Sequence, residues 1–429
     1  MTEKWGTFAP GKQPHNHPGT PGIRDLIAFK ASTRESADSQ AYETAREIVE
    51  DGLLQHRFAK AKLIPNPAHV IRNVNRQRAK KRPRYPTFVS GIDMSFLGID
   101  EPETFYRGDI KIEENGRVVA RHISFATPLQ LEFLRQVSTI YVDGTFKCTR
   151  TLFKQLFTIH AFLRCKSNIK QVPLVSIFMT RRQKTDYDAV LNHLRQLLGD
   201  ESKLETMVGD FEAAVWQSMK EIFPNVKLRG CHFHFTKAVF EKVKFFGLQS
   251  DCNDKDNHAN VTSTVRRLFS LPFLPHATMA QVFTQISEES DQADDRIKRL
   301  LTYFNNTWFH SPIWSPRSFC VYHRLVRTNN DVEGYHNRLN RKCRKEHPPF
   351  YQLLEVLYKE ASIVEITAKL VTNQDVKLHR KKRTKYVQHQ QTICDLWDLY
   401  DQGNIEPMPF LEAIGRFMAF KPTDYGVTE

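Results

Sequence analysis

The chain has 429 residues, with 62 lysines and arginines against 48 acids, a formal charge of +14 and a pI near 9.4. Hydrophobic residues at 40% and aromatics at 11% suffice for a packed core, which excludes a wholly disordered chain, and the length accommodates two or three domains. The positive excess attracts polyanions, nucleic acid being the commonest, although ribosomal, membrane-surface and heparin-binding proteins share it.

MTEKWGTFAPGKQPHNHPG, at the start, has no apolar run after its first charges and does not read as a signal peptide. Residues 1–35, rich in Pro, Gly, Lys and His, read as a flexible arm. Residues 36–88 read as a helical basic DNA-binding or dimerisation unit: one helix within 38–62 and a second, AHVIRNVNRQRAKK, before Pro83 and Pro86. The run 72–84 holds seven basic residues and no acid. Arg72, Arg76, Arg78, Lys80, Lys81, Arg82 and Arg84 are therefore candidate DNA backbone contacts, a nuclear-import signal, or simply a solvated face.

Three strands follow, in STIYVDGTF (138–146), KQLFTIHAFL (154–163) and VPLVSIFMT (172–180). KTDYDAVLNHLRQLLG reads as a helix capped by Gly199, and ETMVGD (205–210) as a strand ending in an acid. FEAAVWQSMKEIF is a helix, VKLRGCHFHF (226–235) a fifth strand, and TKAVFEKVKFF another helix. This is the element order of the ribonuclease H fold, so 89–247 is expected to form the first part of an α/β ribonuclease-H-like catalytic core. Residues 248–325 break the alternation and predict an all-α insertion domain. Residues 326–372 complete the core with the helix in TNNDVEGYHNRLNRKCRK, capped near Asn329 or Asn330 and basic at its end. Residues 373–429 read as a basic C-terminal tail, whose KLHRKKRTKY is a further import signal. Seven spaced cysteines without a CxxC read as reduced thiols, and no apolar run reaches the roughly eighteen residues of a membrane span. The expectation is a soluble, intracellular protein.

Asp143 and Asp210 each end a short apolar strand, which aims their carboxylates out of the sheet edge. With Glu333 in the first turns of a later helix they make a hard oxygen cage for Mg²⁺ or Mn²⁺, and two such ions serve phosphoryl transfer. Any one of these acids alone reads equally well as a surface or capping residue; their order carries the assignment. Cys231 and His234 form a CxxH, either half a zinc site or a buried thiol with a satisfied imidazole. Glu212 and Asp331 flank the acids but point elsewhere.

The segments YVDGTFK, FMTRRQKTDY, MVGDFEAA, GCHFHFTKAV and TNNDVEGYHNRLN, in that order over roughly residues 90–345, resemble the Mutator-like (MULE) family of eukaryotic transposases, related to the hAT transposases. The resemblance implies a catalytic and metal-binding triad of Asp143, Asp210 and Glu333, none of them substituted. It also implies that His234 faces the active site and positions the scissile phosphate. Among Trp308, Phe309 and Trp314, at least two are expected to pack in the core, and the resemblance implies that one, assigned to Trp308, stacks a flipped base. Arg338 and Arg341 extend the candidate DNA-binding set. The implied enzyme is a nuclear DNA transposase of cut-and-paste type using two Mg²⁺ or Mn²⁺ ions. It binds the terminal inverted repeats as double-stranded DNA, cleaves strands and joins 3′ ends to target DNA. Holding two ends implies a homodimer or larger, with no membrane partner. His15 and His17 resemble the closing H-x-H of the FLYWCH-type finger often carried by this family, or are a chance pair; no cysteine precedes Cys148, and no zinc is assigned. The competing readings are a domesticated, non-catalytic DNA-binding regulator and another ribonuclease-H-like nuclease.

Overall fold

The computed structural model describes residues 2–4, 7–9, 23–39, 44–56, 64–81, 88–92, 102–147, 149, 152–165, 168–253, 259–290, 294–343, 347–372 and 384–418. The chain divides into one unit of residues 1–86 and 90–96 and a second of 87–89 and 97–429.

In the first unit, β1 (Thr2–Lys4) and β2 (Thr7–Ala9) form an antiparallel hairpin. Helices α1 (Ile23–Ser39), α2 (Ala45–Gln55) and α3 (Pro67–Lys81) follow. The arm expected over 1–35 is thus replaced in part by α1, because Phe29, Thr33 and Ala37 recur every four residues and bury one stripe. Thr44 and Glu47 close a capping box at the start of α2. Gly52 lets α2 approach α1: a Cβ there would lie 2.9 Å from the Phe29 ring. On α3, Arg72, Arg76 and Lys80 are exposed at four-residue spacing and share a face. Arg78 is 2% exposed. Turned inward, its guanidinium leaves the candidate DNA-binding set. His15, His17, Arg82, Arg84 and the side chain of Lys81 lie outside the described residues.

The second unit is built on a seven-stranded mixed sheet. Its strands are β3 (Tyr106–Glu114), β4 (Arg117–Phe125), β5 (Thr139–Thr145), β6 (Gln155–Cys165), β7 (Asn168–Met179), β8 (Thr206–Gly209) and β9 (Lys227–Gly230). The order across the sheet is β3-β4-β7-β6-β5-β8-β9. β5, β8 and β9 run parallel, and the other neighbours antiparallel. Before β3 lies the short α4 (Pro102–Phe105). Helices α5 (Pro128–Gln136), α6 (Lys184–Leu198, ending at Gly199 with φ 70°) and α7 (Ala213–Ile222) bury Leu134, Leu191, Leu194 and Met219 with Ile140, Val142 and Met207 of the sheet.

After β9 the chain is helical: α8 (His232–Phe245), α9 (Gln249–Asn253), α10 (Ala259–Ser270), α11 (Met279–Glu289), α12 (Asp295–Phe304), a π turn Asn305–Phe309, and α13 (Pro316–Phe319). Then come α14 (Asn330–Cys343) and α15 (Phe350–Thr372). The last helices, α16 (Thr384–Asp401) and α17 (Pro407–Gly415), pack with α8–α13 around Phe235, Phe273, Phe304, Trp308 and Phe319. Trp397 donates its Nε1–H to the Phe273 carbonyl at 2.9 Å. The C-terminal segment is therefore mostly folded and not a tail; residues 373–383, with most of the basic run, lie outside the described residues. Among the described residues no helix is long and apolar enough to cross a membrane.

The strand expected at 226–235 stops at Gly230. Cys231 donates its amide to Gly209 but His232 donates to Arg327 instead of a ladder partner, so pairing ends and α8 begins.

Candidate metal centre

In a ladder, paired residues share a face and alternate residues return to it. Tyr141 of β5 is in register with Val208 of β8, and Val208 with Arg229 of β9. Two residues on stand Asp143, Asp210 and Cys231, so one face carries all three toward the C-terminal ends of the parallel strands. Asp143 is paired with Thr158 of β6.

Helices α8 and α14 close over this face. Cys231 is the residue before α8, which sets His234 in the first turn. The buried Asn329 precedes α14; its amide donates to Cys231 Sγ at 3.1 Å and its side-chain amide reaches the Val142 carbonyl at 3.5 Å. That anchor fixes where α14 starts, and Glu333 follows in its first turn. Cys231 thus works here as an acceptor that holds α14.

Oxygen and nitrogen atoms of Asp143, Asp210 and His234 all lie within 4.8 Å of one another. His234 stands between two acids, with Nδ1 2.6 Å from Asp210 Oδ1 and Nε2 3.5 Å from Glu333 Oε1. The 2.6 Å contact is close but off hydrogen-bond alignment, so both buried atoms lack a hydrogen-bond partner. Asp143 accepts from the Gly144 amide at 2.8 Å, and its other oxygen is 3.5 Å from His336 Nδ1. Behind His336, Thr158 Oγ1 lies 2.8 Å from its Nε2 and 3.0 Å from His160 Nε2.

Burial raises Asp143, but His336, His234 and the Gly144 amide outweigh it and hold the carboxyl below its usual range. Asp210 goes the other way, raised by burial and then by the charge of Asp143. Burial opposes a charge on His234, yet Asp210 overcomes it and raises the imidazole well above its ordinary value. Burial, with the charges of Asp143 and Asp210 acting against His234, pushes Glu333 up to about 7. A cluster that keeps protons on His234 and Glu333 is one short of positive charge. Carboxylate oxygens dominate the donor set, with one imidazole, and Asp210 Oδ1 and His234 Nδ1 face each other without an aligned hydrogen bond. These residues fit a hard divalent cation such as Mg²⁺ or Mn²⁺.

Residues 139–238 match the family model of the MULE transposase domain.

The MULE match spans Asp143, Asp210 and His234, ends before Glu333, and supports a transposase-type function. No curated protein matches the sequence. Of the residues singled out from sequence, Asp143, Asp210, His234 and Glu333 converge. Arg338 of α14 is tied to the buried Glu360, Nη2 to Oε2 2.6 Å, whereas Arg341 is exposed. Trp308 is 1% exposed within an aromatic cluster, its ring 4.6 Å from Phe235 and 4.9 Å from Phe211. Packed there, it has no free face for a base, which corrects its expected role. Glu212 is engaged by Arg182 at 2.6 Å and by the Tyr187 hydroxyl at 3.1 Å. Sequence reasoning missed His336, Thr158 and His160; the spacing of His336 three residues after Glu333 was a usable signal, since both then share one face of a helix.

Glu333 gives a stability test. Its folded value near 7 exceeds the ordinary 4.5, so the native state binds more protons than the unfolded state between those values. Stability is therefore lost as pH rises from about 4.5 to 7, and the cost is fully present above 7. In EDTA at pH 8, Glu333→Gln is expected to be more stable than wild type by about 2 kcal/mol, with the gap closing at pH 5. Melting curves at the two pH values check this; a gap that does not change with pH contradicts it.

Proposed function

We propose that the chain is a cut-and-paste DNA transposase whose ribonuclease-H-like core holds two divalent ions at Asp143, Asp210 and Glu333. The convergence of Asp143, Asp210 and His234 within 4.8 Å, inside the MULE match, is the observation that carries this reading. The strand order β7-β6-β5-β8-β9, with the acids after β8 and near the end of β5, agrees with a ribonuclease-H-like core, and the helices of 249–319 with an inserted domain.

Bound there, Mg²⁺ or Mn²⁺ supplies Lewis acidity for in-line attack on a DNA phosphodiester. Asp143, held ionised by His336, is the constant anionic ligand. Asp210 and Glu333 would complete the set that holds the cation, Glu333 only once it has given up its proton. His234 would donate Nδ1–H or Nε2–H to a phosphate oxygen and so position it. The His336–Thr158–His160 chain fixes the rotamer of Asp143. Exposed Arg72, Arg76, Lys80 and Arg341 contact double-stranded DNA, the protein acts in the nucleus, and two copies or more hold two ends.

Incubation of the full chain with supercoiled plasmid and Mn²⁺ tests the reading. Nicked circles that appear with Mn²⁺ and vanish with EDTA are expected; nicking indifferent to EDTA, or none in Mn²⁺, overturns it. The basic face of α3 gives a separate expectation. Changing Arg72, Arg76 and Lys80 to Gln lowers the salt slope of duplex binding by about 2.7, at about 0.9 per phosphate contact. An unchanged slope assigns these residues to another role.

A further inference from the structure

A cleft of about 770 Å³ opens at β9 and is lined by Lys227, Arg229, His276, Arg317, Tyr322 and Arg324 among others. Asp401 is already engaged by His323, Nε2 to Oδ2 2.7 Å, and by the Tyr322 hydroxyl. Among the described residues Lys227, Arg229, Arg317 and Arg324 form no ion pair. Arg229 and Arg324 are half-buried, and Arg324 is lowered to about 10, by burial first and then by the charge of Arg229. Two guanidiniums that line one cleft and oppose each other's charge, neither held in an ion pair among the described residues, favour an external anion.

The cleft is also placed relative to the acids. Arg229 continues the row Tyr141–Val208 on the sheet face that carries Asp143, and both Arg229 and Arg324 act on the Tyr141 hydroxyl, as does the nearby Asp331. Two strand residues, about 7 Å, separate that row from the level of Asp143. The cleft is larger than one phosphate needs, and exposed Lys227 and Arg317 carry its charge outward.

We infer that this cleft binds the phosphodiester backbone of the DNA strand engaged at Asp143 and Asp210, with Arg229 and Arg324 each contacting a phosphate beside the one that reacts. Arginine suits the task, because its planar fork meets two phosphate oxygens at once. This rests on the transposase reading, and it adds the path of the strand.

The test is anisotropy of a labelled duplex with a single-stranded extension, titrated with the full chain over a range of KCl. Arg229→Gln with Arg324→Gln is expected to weaken binding on the order of tenfold and lower the salt slope by about 1.5, at about 0.7–0.9 per phosphate. Mn²⁺ binding at the acids stays as in wild type. If that pair disturbs folding, exposed Lys227→Gln with Arg317→Gln carries the same expectation. Wild-type slope and affinity in a folded variant overturn the cleft and leave the transposase reading intact. Arginine-dependent binding without any Mn²⁺-dependent nicking sinks the transposase reading and keeps the cleft. A wild-type chain that binds no DNA sinks both. With poly-glutamate titrated in parallel, variants that lose its binding but keep wild-type duplex binding overturn the inference in favour of an acidic protein partner.

Discussion

Alanine at Asp143, Asp210 or Glu333 is expected to lower Mn²⁺-dependent nicking by at least a factor on the order of a thousand, about 4 kcal/mol of transition-state stabilisation. The size of the effect follows from the division of labour at this site. No side chain near Asp143 supplies comparable Lewis acidity: the imidazoles around it are those of His234, His336 and His160, and burial keeps His160 well below its ordinary value and so neutral. The role proposed for His234 is only to orient a phosphate. Duplex affinity is expected to hold or rise slightly, because removing an acid lessens repulsion of the phosphates. The check is a nicking assay beside a binding isotherm for each variant. A variant that nicks near the wild-type rate sinks the assignment of that acid, and parallel loss of binding and nicking points to a folding role.

Gly230→Ala is expected to destabilise the second unit by about 3 kcal/mol and to remove activity with it. A Cβ at Gly230 would stand 1.9 Å from Phe211 Cζ and 2.5 Å from its Cε atoms. Phe211 cannot step aside cheaply. Its ring stacks on Trp216 at 5.6 Å and meets the edges of Trp308 and Trp314 at 4.9 and 5.7 Å. It is also the residue after Asp210, and the Trp216 indole donates to the Asp210 carbonyl, so pressure on the ring reaches the acid. Urea melts of Gly230→Ala and of Gly230→Ala combined with Phe211→Ala separate the causes. Relief of strain in the double variant relative to the single substitutions confirms the clash, and a wild-type melt for Gly230→Ala refutes it.

How much of this could be read from sequence differs by element. Asp143 and Asp210 were legible because each closes an apolar run, although β5 continues two residues past Asp143, and α6 because its apolar residues keep a helical period up to Gly199. The β3–β4 hairpin was not read, since YRGDIKIEE is charged and none of its residues is buried at the sheet edge. Its signal was the Asn115–Gly116 turn, both at positive φ, the usual mark of a tight hairpin. Cys231 and His234 looked like strand continuation because CHFHF is aromatic and β-prone; the partner that ends the strand, the Arg327 carbonyl, is nearly a hundred residues away in sequence and invisible to local patterning. Trp308 and Arg78 were misjudged for the same reason. Composition marks an aromatic or a cation as able to bind, and only packing shows which face it presents.

The most direct measurement on the metal site is Mn²⁺ binding by electron paramagnetic resonance, on wild type and on Asp143→Asn, Asp210→Asn and Glu333→Gln. Wild type is expected to bind Mn²⁺ more tightly as pH rises through about 7, where Glu333 loses its proton. Each amide variant is expected to lose most of that affinity while keeping its fold. Equal Mn²⁺ affinity in all four proteins, without pH dependence, contradicts a metal centre built from these acids.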